Sequence, residues 1–144
     1  AILQTGESRS LVELMQDCDR ALRTTRGVVM TLVSIAASGA ASTLAVGNVT
    51  GYWIRSGATG RGRKEAILWR GGVVGDRLPA LRTSEWALAA GDRLLLATDG
   101  LRPDYVDEVT SEEPLPQLVE RMMAEFLVGN DDGLVLACTY KGAG

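Results

Sequence analysis

Two short stretches of the chain pair apolar runs with carboxylates. Residues 91–101 read GDRLLLATDGL and residues 129–136 read GNDDGLVL. The first places Asp99 at the end of an apolar strand-like run, and the second places Asp131 and Asp132 at the start of another. A carboxylate at such a position is costly to bury unless it is paired or metal-bound. Each half has an ordinary reading as well, an Asp-Gly turn for the first and a polar helix-to-strand loop for the second. Taken together, two acidic tips on two core strands could converge as a carboxylate metal site. The chain contains no histidine. That removes Ser-His-Asp and Cys-His nucleophile systems and any histidine-based zinc site. The remaining strong ligands are oxygens, which suit hard ions such as Mg²⁺ or Mn²⁺.

Other candidate motifs fail on spacing. In the basic loop SGATGRGRK (56–64), Gly57 and Gly62 have the separation of a phosphate-binding loop, but Arg63 intervenes before Lys64 and Glu65 follows it. Arg61, Arg63 and Lys64 read as a solvated loop, the alternative being contact with an anionic partner. DGLRPDYVDE is not a calcium loop, because Pro103 stands where an oxygen ligand is needed. Trp53, Trp69 and Trp86 occur singly in strand-like runs, which favours packing over a base-stacking platform.

The elements that must position the aspartates follow from periodicity. Residues 10–24 carry Leu11, Leu14, Met15, Cys18, Ala21 and Leu22 on one helical face, with Ser10 and Glu13 spaced as a capping box. Gly27 is a plausible stop. Residues 114–128 predict a second helix, with Pro116 in its first turn and Leu118, Val119, Met122, Met123 and Phe126 on one face. Between and after them, 28–37, 42–46, 49–55, 66–69, 83–89, 93–99 and 133–140 read as strands. Short turns at Gly47–Asn48 and at AAGD (89–92) predict a meander of antiparallel pairs. Residues 101–113 are polar and partly irregular. Helices do not alternate with strands, so an α+β architecture is expected rather than a doubly wound sheet.

Length and composition fit one domain over residues 1–144, with 46% hydrophobic residues and a net charge of −3. That balance gives no global pull toward nucleic acid or an anionic membrane. No apolar run approaches the roughly 20 residues that span a bilayer. The opening AILQTGESRS lacks the pattern of a signal peptide. Cys18 and Cys138 lie in apolar patterns and read as buried free thiols of a cytoplasmic protein. The chain opens at Ala1 without an initiator methionine, and a longer natural polypeptide is expected.

The run AAGDRLLLATDGL resembles the GD-apolar-TDG signature of the SpoIIE-type metal-dependent serine/threonine phosphatases, the bacterial branch of the PPM superfamily. LRTTRGVVMTLVSI, LAVGNVTGYWIR, GGVVGDRLPALRTSEWAL and GNDDGLVLAC resemble further blocks of that family in the same order. The likeness is strongest to its small single-domain stressosome members. It implies an αββα sandwich of two antiparallel sheets flanked by helices. It also implies two or more Mn²⁺ or Mg²⁺ ions, and in-line attack of water on a phosphoserine or phosphothreonine phosphorus. By motif, Asp99 and Asp131 are the implied metal ligands and catalytic residues, with Gly100 and Asp132 beside them as secondary residues. The implied partner is a phosphorylated signalling protein, a STAS-domain or stressosome component, with no role for nucleic acid or membrane.

The chain departs from the family in two respects. The acidic GD and DG-x-G motifs that precede the first helix in the family have no match before residue 10. The N-terminal strands are therefore expected to be missing. The general-acid histidine of some relatives is also absent. A catalytically degenerate phosphatase fold that only binds a signalling partner is the competing expectation.

Overall fold

The computed structural model describes residues 9–57, 62–129 and 132–143. Helix α1 (Leu11–Leu22) begins at the expected capping box. Ser10 Oγ accepts from the Glu13 N–H at 3.2 Å, and the Glu13 carboxylate accepts from the Ser10 N–H at 2.9 Å. These bonds from Ser10 hold the Glu13 carboxyl below its ordinary pKa. The predicted apolar stripe is the buried one: Leu11, Met15, Cys18 and Leu22 pack on Leu44, Val46, Met30 and Leu32.

The chain continues through β1 (Met30–Ile35), β2 (Ala40–Val46), β3 (Thr50–Ile54), β4 (Lys64–Ala66), β5 (Trp69–Arg70), β6 (Ser84–Ala87) and β7 (Arg93–Ala97). Then come α2 (Tyr105–Glu108), α3 (Leu115–Phe126) and β8 (Val135–Thr139). One four-stranded sheet has β1 beside β2, with β5 and β6 both pairing β2. The other runs β4-β3-β7-β8. The sheets face each other through Ala41, Ala45, Trp53, Ile67 and Leu94. On the outer face of the second sheet, Leu118, Met122 and Phe126 of α3 and Tyr105 of α2 cover Ile54, Leu95 and Ala97. The architecture is therefore the expected α+β sandwich, two sheets with helices outside both.

Strand positions agree with the periodicity, but strand partners do not follow the predicted meander. β2 and β3 lie in different sheets, so Gly47–Asn48 is a crossing and not a hairpin turn. Gly47 sits at φ +94°, and a Cβ there would lie 2.2 Å from a Val29 methyl. β6 and β7 separate in the same way. The physical reason is that β3 is apolar on both faces. Trp53 turns to the facing sheet while Ile54 turns to α3, and a hairpin partner in its own sheet could not cover Trp53. The predicted strand 66–69 also divides. Ile67 donates to the Gly51 carbonyl at 2.8 Å beside β3, and two residues later Trp69 pairs with Ala45 of the other sheet. That β2–β5 pairing is parallel, so the first sheet is not wholly antiparallel.

Asp92, 2% exposed, pins the second crossing. Its carboxylate accepts from the backbone N–H of Ser56 at 2.8 Å and of Ala89 at 3.0 Å, and pairs with Arg55 Nη1 at 2.8 Å. Arg55 also pairs with Glu65 at 2.8 Å. In the basic loop, Arg63 pairs with Glu65 and the Lys64 ammonium donates to the Val106 and Asp107 carbonyls, while Arg61 lies outside the described residues. Lys64 thus fastens α2 to β4 instead of being solvated. Cys18 and Cys138 are free thiols, as expected, but only half-buried. Among the described residues no helix is long and apolar enough to cross a membrane.

Candidate metal centre

β7 is the carrier of the first acidic tip. It runs through the middle of its sheet between β3 and β8, with Leu94, Leu95 and Ala97 buried. Such a strand is rigidly held on both edges, so its end is a fixed point from which a side chain can be aimed. The ladder continues one step past β7: Thr98 N–H donates to the Leu134 carbonyl at 3.1 Å, and Thr98 Oγ1 accepts from the Leu134 N–H at 2.9 Å. The chain then turns at Asp99–Gly100.

Gly100 is buried against the start of the closing segment. A Cβ on it would lie 2.4 Å from the Asp132 carbonyl oxygen and 3.1 Å from the Gly133 Cα. Only glycine allows the two backbones to approach this closely. The Gly100 carbonyl accepts from the Val128 N–H at 2.8 Å, and the Arg102 N–H donates to the Phe126 carbonyl at 2.8 Å. The turn is therefore clamped between the end of α3 and the lead-in to β8. The Gly100 backbone is thus packed against the backbone of Asp132 and Gly133. Asp131 lies outside the described residues.

Asp99 is exposed, so the cost of burying its charge does not arise. Its Oδ2 accepts from Asn48 Nδ2 at 2.6 Å. Asn48 comes from the β2–β3 crossing, on the neighbouring edge of β7. Sequence reasoning placed Gly47–Asn48 in a turn and gave Asn48 no role at the site. The available signal was the position of the Asn beside a Gly at the end of an apolar strand, the same pattern that marked Asp99. Close by, the Thr50 hydroxyl bonds to the Ala97 carbonyl at 3.2 Å and to the Tyr105 hydroxyl at 2.8 Å. Burial pushes the Tyr105 phenol up to about 12, the bond to Thr50 opposing it, so Tyr105 stays neutral and buttresses the end of β7.

The donors fit a hard cation in kind. Among the described residues, Asp99 Oδ2 accepts from an amide while Oδ1 accepts no hydrogen bond, and the residue is exposed. No group of three His, Cys, Asp or Glu side chains that could hold a metal occurs among the described residues.

Neither a protein-family model nor a curated protein sequence matches the chain. Solved structures do. The chain is similar to RsbX crystallised with magnesium, with a TM-score of 0.75 at 17% identity over 90% of this chain. It spans 64% of that protein's length. A structure from work on the bacterial stressosome, described as a modular system adapted to control secondary messenger signalling, matches with a TM-score of 0.70 at 25% identity. That match covers 90% of this chain and 67% of the other. The phosphatase domain of SpoIIE from Bacillus subtilis matches with a TM-score of 0.61 at 14% identity, covering 97% of this chain and 75% of the other. The fold is that of the PPM-type phosphatases.

Proposed function

We propose that the chain belongs to a metal-dependent protein serine/threonine phosphatase, with Asp99 and Asp131 as metal ligands at the catalytic centre. The observation that carries this reading is the seating of the Asp99–Gly100 turn on Asp132–Gly133 within a phosphatase fold. It brings together the two segments whose carboxylates the chemistry needs. Mn²⁺ or Mg²⁺ bound there, two or more ions by family resemblance, would offset charge on the phosphoryl oxygens and make water a better nucleophile.

The chain's own residues do the positioning. Asn48 bonds one oxygen of the Asp99 carboxylate, which leaves the second without a hydrogen bond among the described residues. Gly100 lets the closing segment approach, and Thr98 locks the register of that segment through Leu134. Asp132 adds a second carboxylate next to Asp131. The resemblance to stressosome structures supports a phosphorylated, STAS-domain-type signalling protein as substrate, met in the cytoplasm.

Phosphate release from a phosphoserine protein and from a small aryl phosphate, measured with Mn²⁺, tests the reading. Asp99→Asn is expected to remove most of the activity, on the order of 100-fold. An unchanged rate in that variant would sink the site assignment. A full-length polypeptide that releases no phosphate with any divalent ion would leave the non-catalytic binding module in its place.

A further inference from the structure

A groove beside β5 carries charge that the Asp99 centre does not use. Leu68, Trp69, Arg70, Arg82, Thr83 and Ser84 line a cavity of about 470 Å³. Leu68 is 75% exposed and Trp69 49%, unusual for an aromatic next to a paired strand. Arg70 and Arg82 are exposed, and neither makes an ion pair among the described residues. Glu85, the carboxylate nearest Arg82 in sequence, accepts from Ser42 Oγ at 2.6 Å.

We propose that this groove holds an acidic segment of a partner protein, Arg70 and Arg82 pairing its carboxylates while Leu68 and Trp69 cover its apolar side chains. Two guanidinium groups without an ion pair beside an exposed indole form a local positive patch on a chain of net charge −3. Trp and Arg at the centre of a concave patch are the residue types that contribute most at protein interfaces. Thr83 and Ser84 supply hydroxyl donors. Among the described residues β5 pairs only with β2, so its other edge offers backbone groups to an extended segment. A nucleic acid fits less well, because an acidic chain presenting two arginines would neutralise few of its phosphates.

The groove also points somewhere. The Arg70 carbonyl accepts from the Gly47 N–H at 2.8 Å, and the next residue, Asn48, holds Asp99. An acidic segment lying along β5 would continue toward the Asp99 end of the sandwich. This last placement rests on the phosphatase reading, whereas the binding itself does not.

A fluorescein-labelled peptide of alternating aspartate and leucine, titrated at low salt and followed by anisotropy, tests the proposal. Binding should weaken about tenfold or more in the double variant Arg70→Glu, Arg82→Glu, and comparably in about 0.5 M salt. Trp69→Ala should weaken it as well. Lys141→Glu, a single charge reversal placed after β8, should bind as the unaltered protein does, while Arg82→Glu alone should already weaken binding. Thermal melts confirm that each variant is folded. Failure to bind at low salt, wild-type binding by the double variant, or displacement by a shorter single-stranded oligonucleotide would each overturn the groove. A protein that binds the peptide but releases no phosphate overturns only the phosphatase reading. A phosphatase that ignores the peptide overturns only the groove.

Discussion

The side-chain amide of Asn48 donates to Oδ2 of Asp99 at 2.6 Å, across 51 residues of sequence. The bond joins the crossing between the two sheets to the end of the central strand β7. It fixes one carboxylate oxygen and leaves the other available. Asn48→Ala should therefore lower metal-dependent phosphate release by about 10- to 100-fold while leaving stability within about 1 kcal/mol, because the pair is exposed. A titration of activity against Mn²⁺ concentration checks this, with the midpoint expected to move to higher concentration. A variant with unchanged metal dependence would deny Asn48 a positioning role.

Gly100→Ala probes the junction of the two acidic segments. The new methyl would meet the Asp132 carbonyl at 2.4 Å, and a backbone atom cannot swing aside as a side chain can. The expected cost is about 1–3 kcal/mol in urea unfolding, together with loss of activity. Gly57→Ala is the control. Among the described residues nothing lies within 4 Å of its Cβ, and its effect should stay within about 0.5 kcal/mol.

The buried Asp92 gives stability a pH dependence. Burial by itself would raise its pKa. The N–H groups of Ala89 and Ser56 and the Arg55 guanidinium outweigh that and hold the carboxyl below its ordinary value. The unfolded chain lacks these partners. The contribution is thus complete above the unfolded value of roughly 4 and is lost as pH falls through the lower folded value. Asp92→Asn should cost about 3 kcal/mol at neutral pH and flatten the decline in urea midpoint below pH 4. A variant that declines as steeply as the parent would assign the acid sensitivity to other carboxylates.

Tyr105 acts at the other end of the scale. Its folded pKa, pushed up to about 12, exceeds the unfolded value of about 10. Its stabilisation is fully present below pH 10 and fades as pH rises through 12. Tyr105→Phe, which leaves the Thr50 hydroxyl without its partner at 2.8 Å, should cost about 1 kcal/mol at neutral pH. It should also remove that alkaline loss, which denaturant midpoints between pH 9 and pH 11 would show.

Much of this molecule is visible in local pattern. Ser10 and Glu13 announce the start of α1, and the apolar spacing of Leu118, Met122 and Phe126 announces the buried face of α3. The strand runs around Thr43, Trp53 and Leu95 alternate or saturate as strands must. These features depend on residues a few positions apart, so the sequence by itself determines them. It also determined that no histidine can serve as a ligand or a general acid, since the chain has none. Sheet membership was decided only in three dimensions. Gly47–Asn48 and AAGD have turn chemistry compatible with a hairpin, and what turns them into crossings is the need to cover Trp53 and Ile54 on opposite faces of β3. The same holds for the site. Asp99 and Asp132 are marked by type and position, but their seating through Gly100, and the recruitment of Asn48, arise because β3, β7 and β8 are neighbours in one sheet. Such neighbours are set by which buried surfaces fit together across the whole chain, a long-range property that no window of sequence contains.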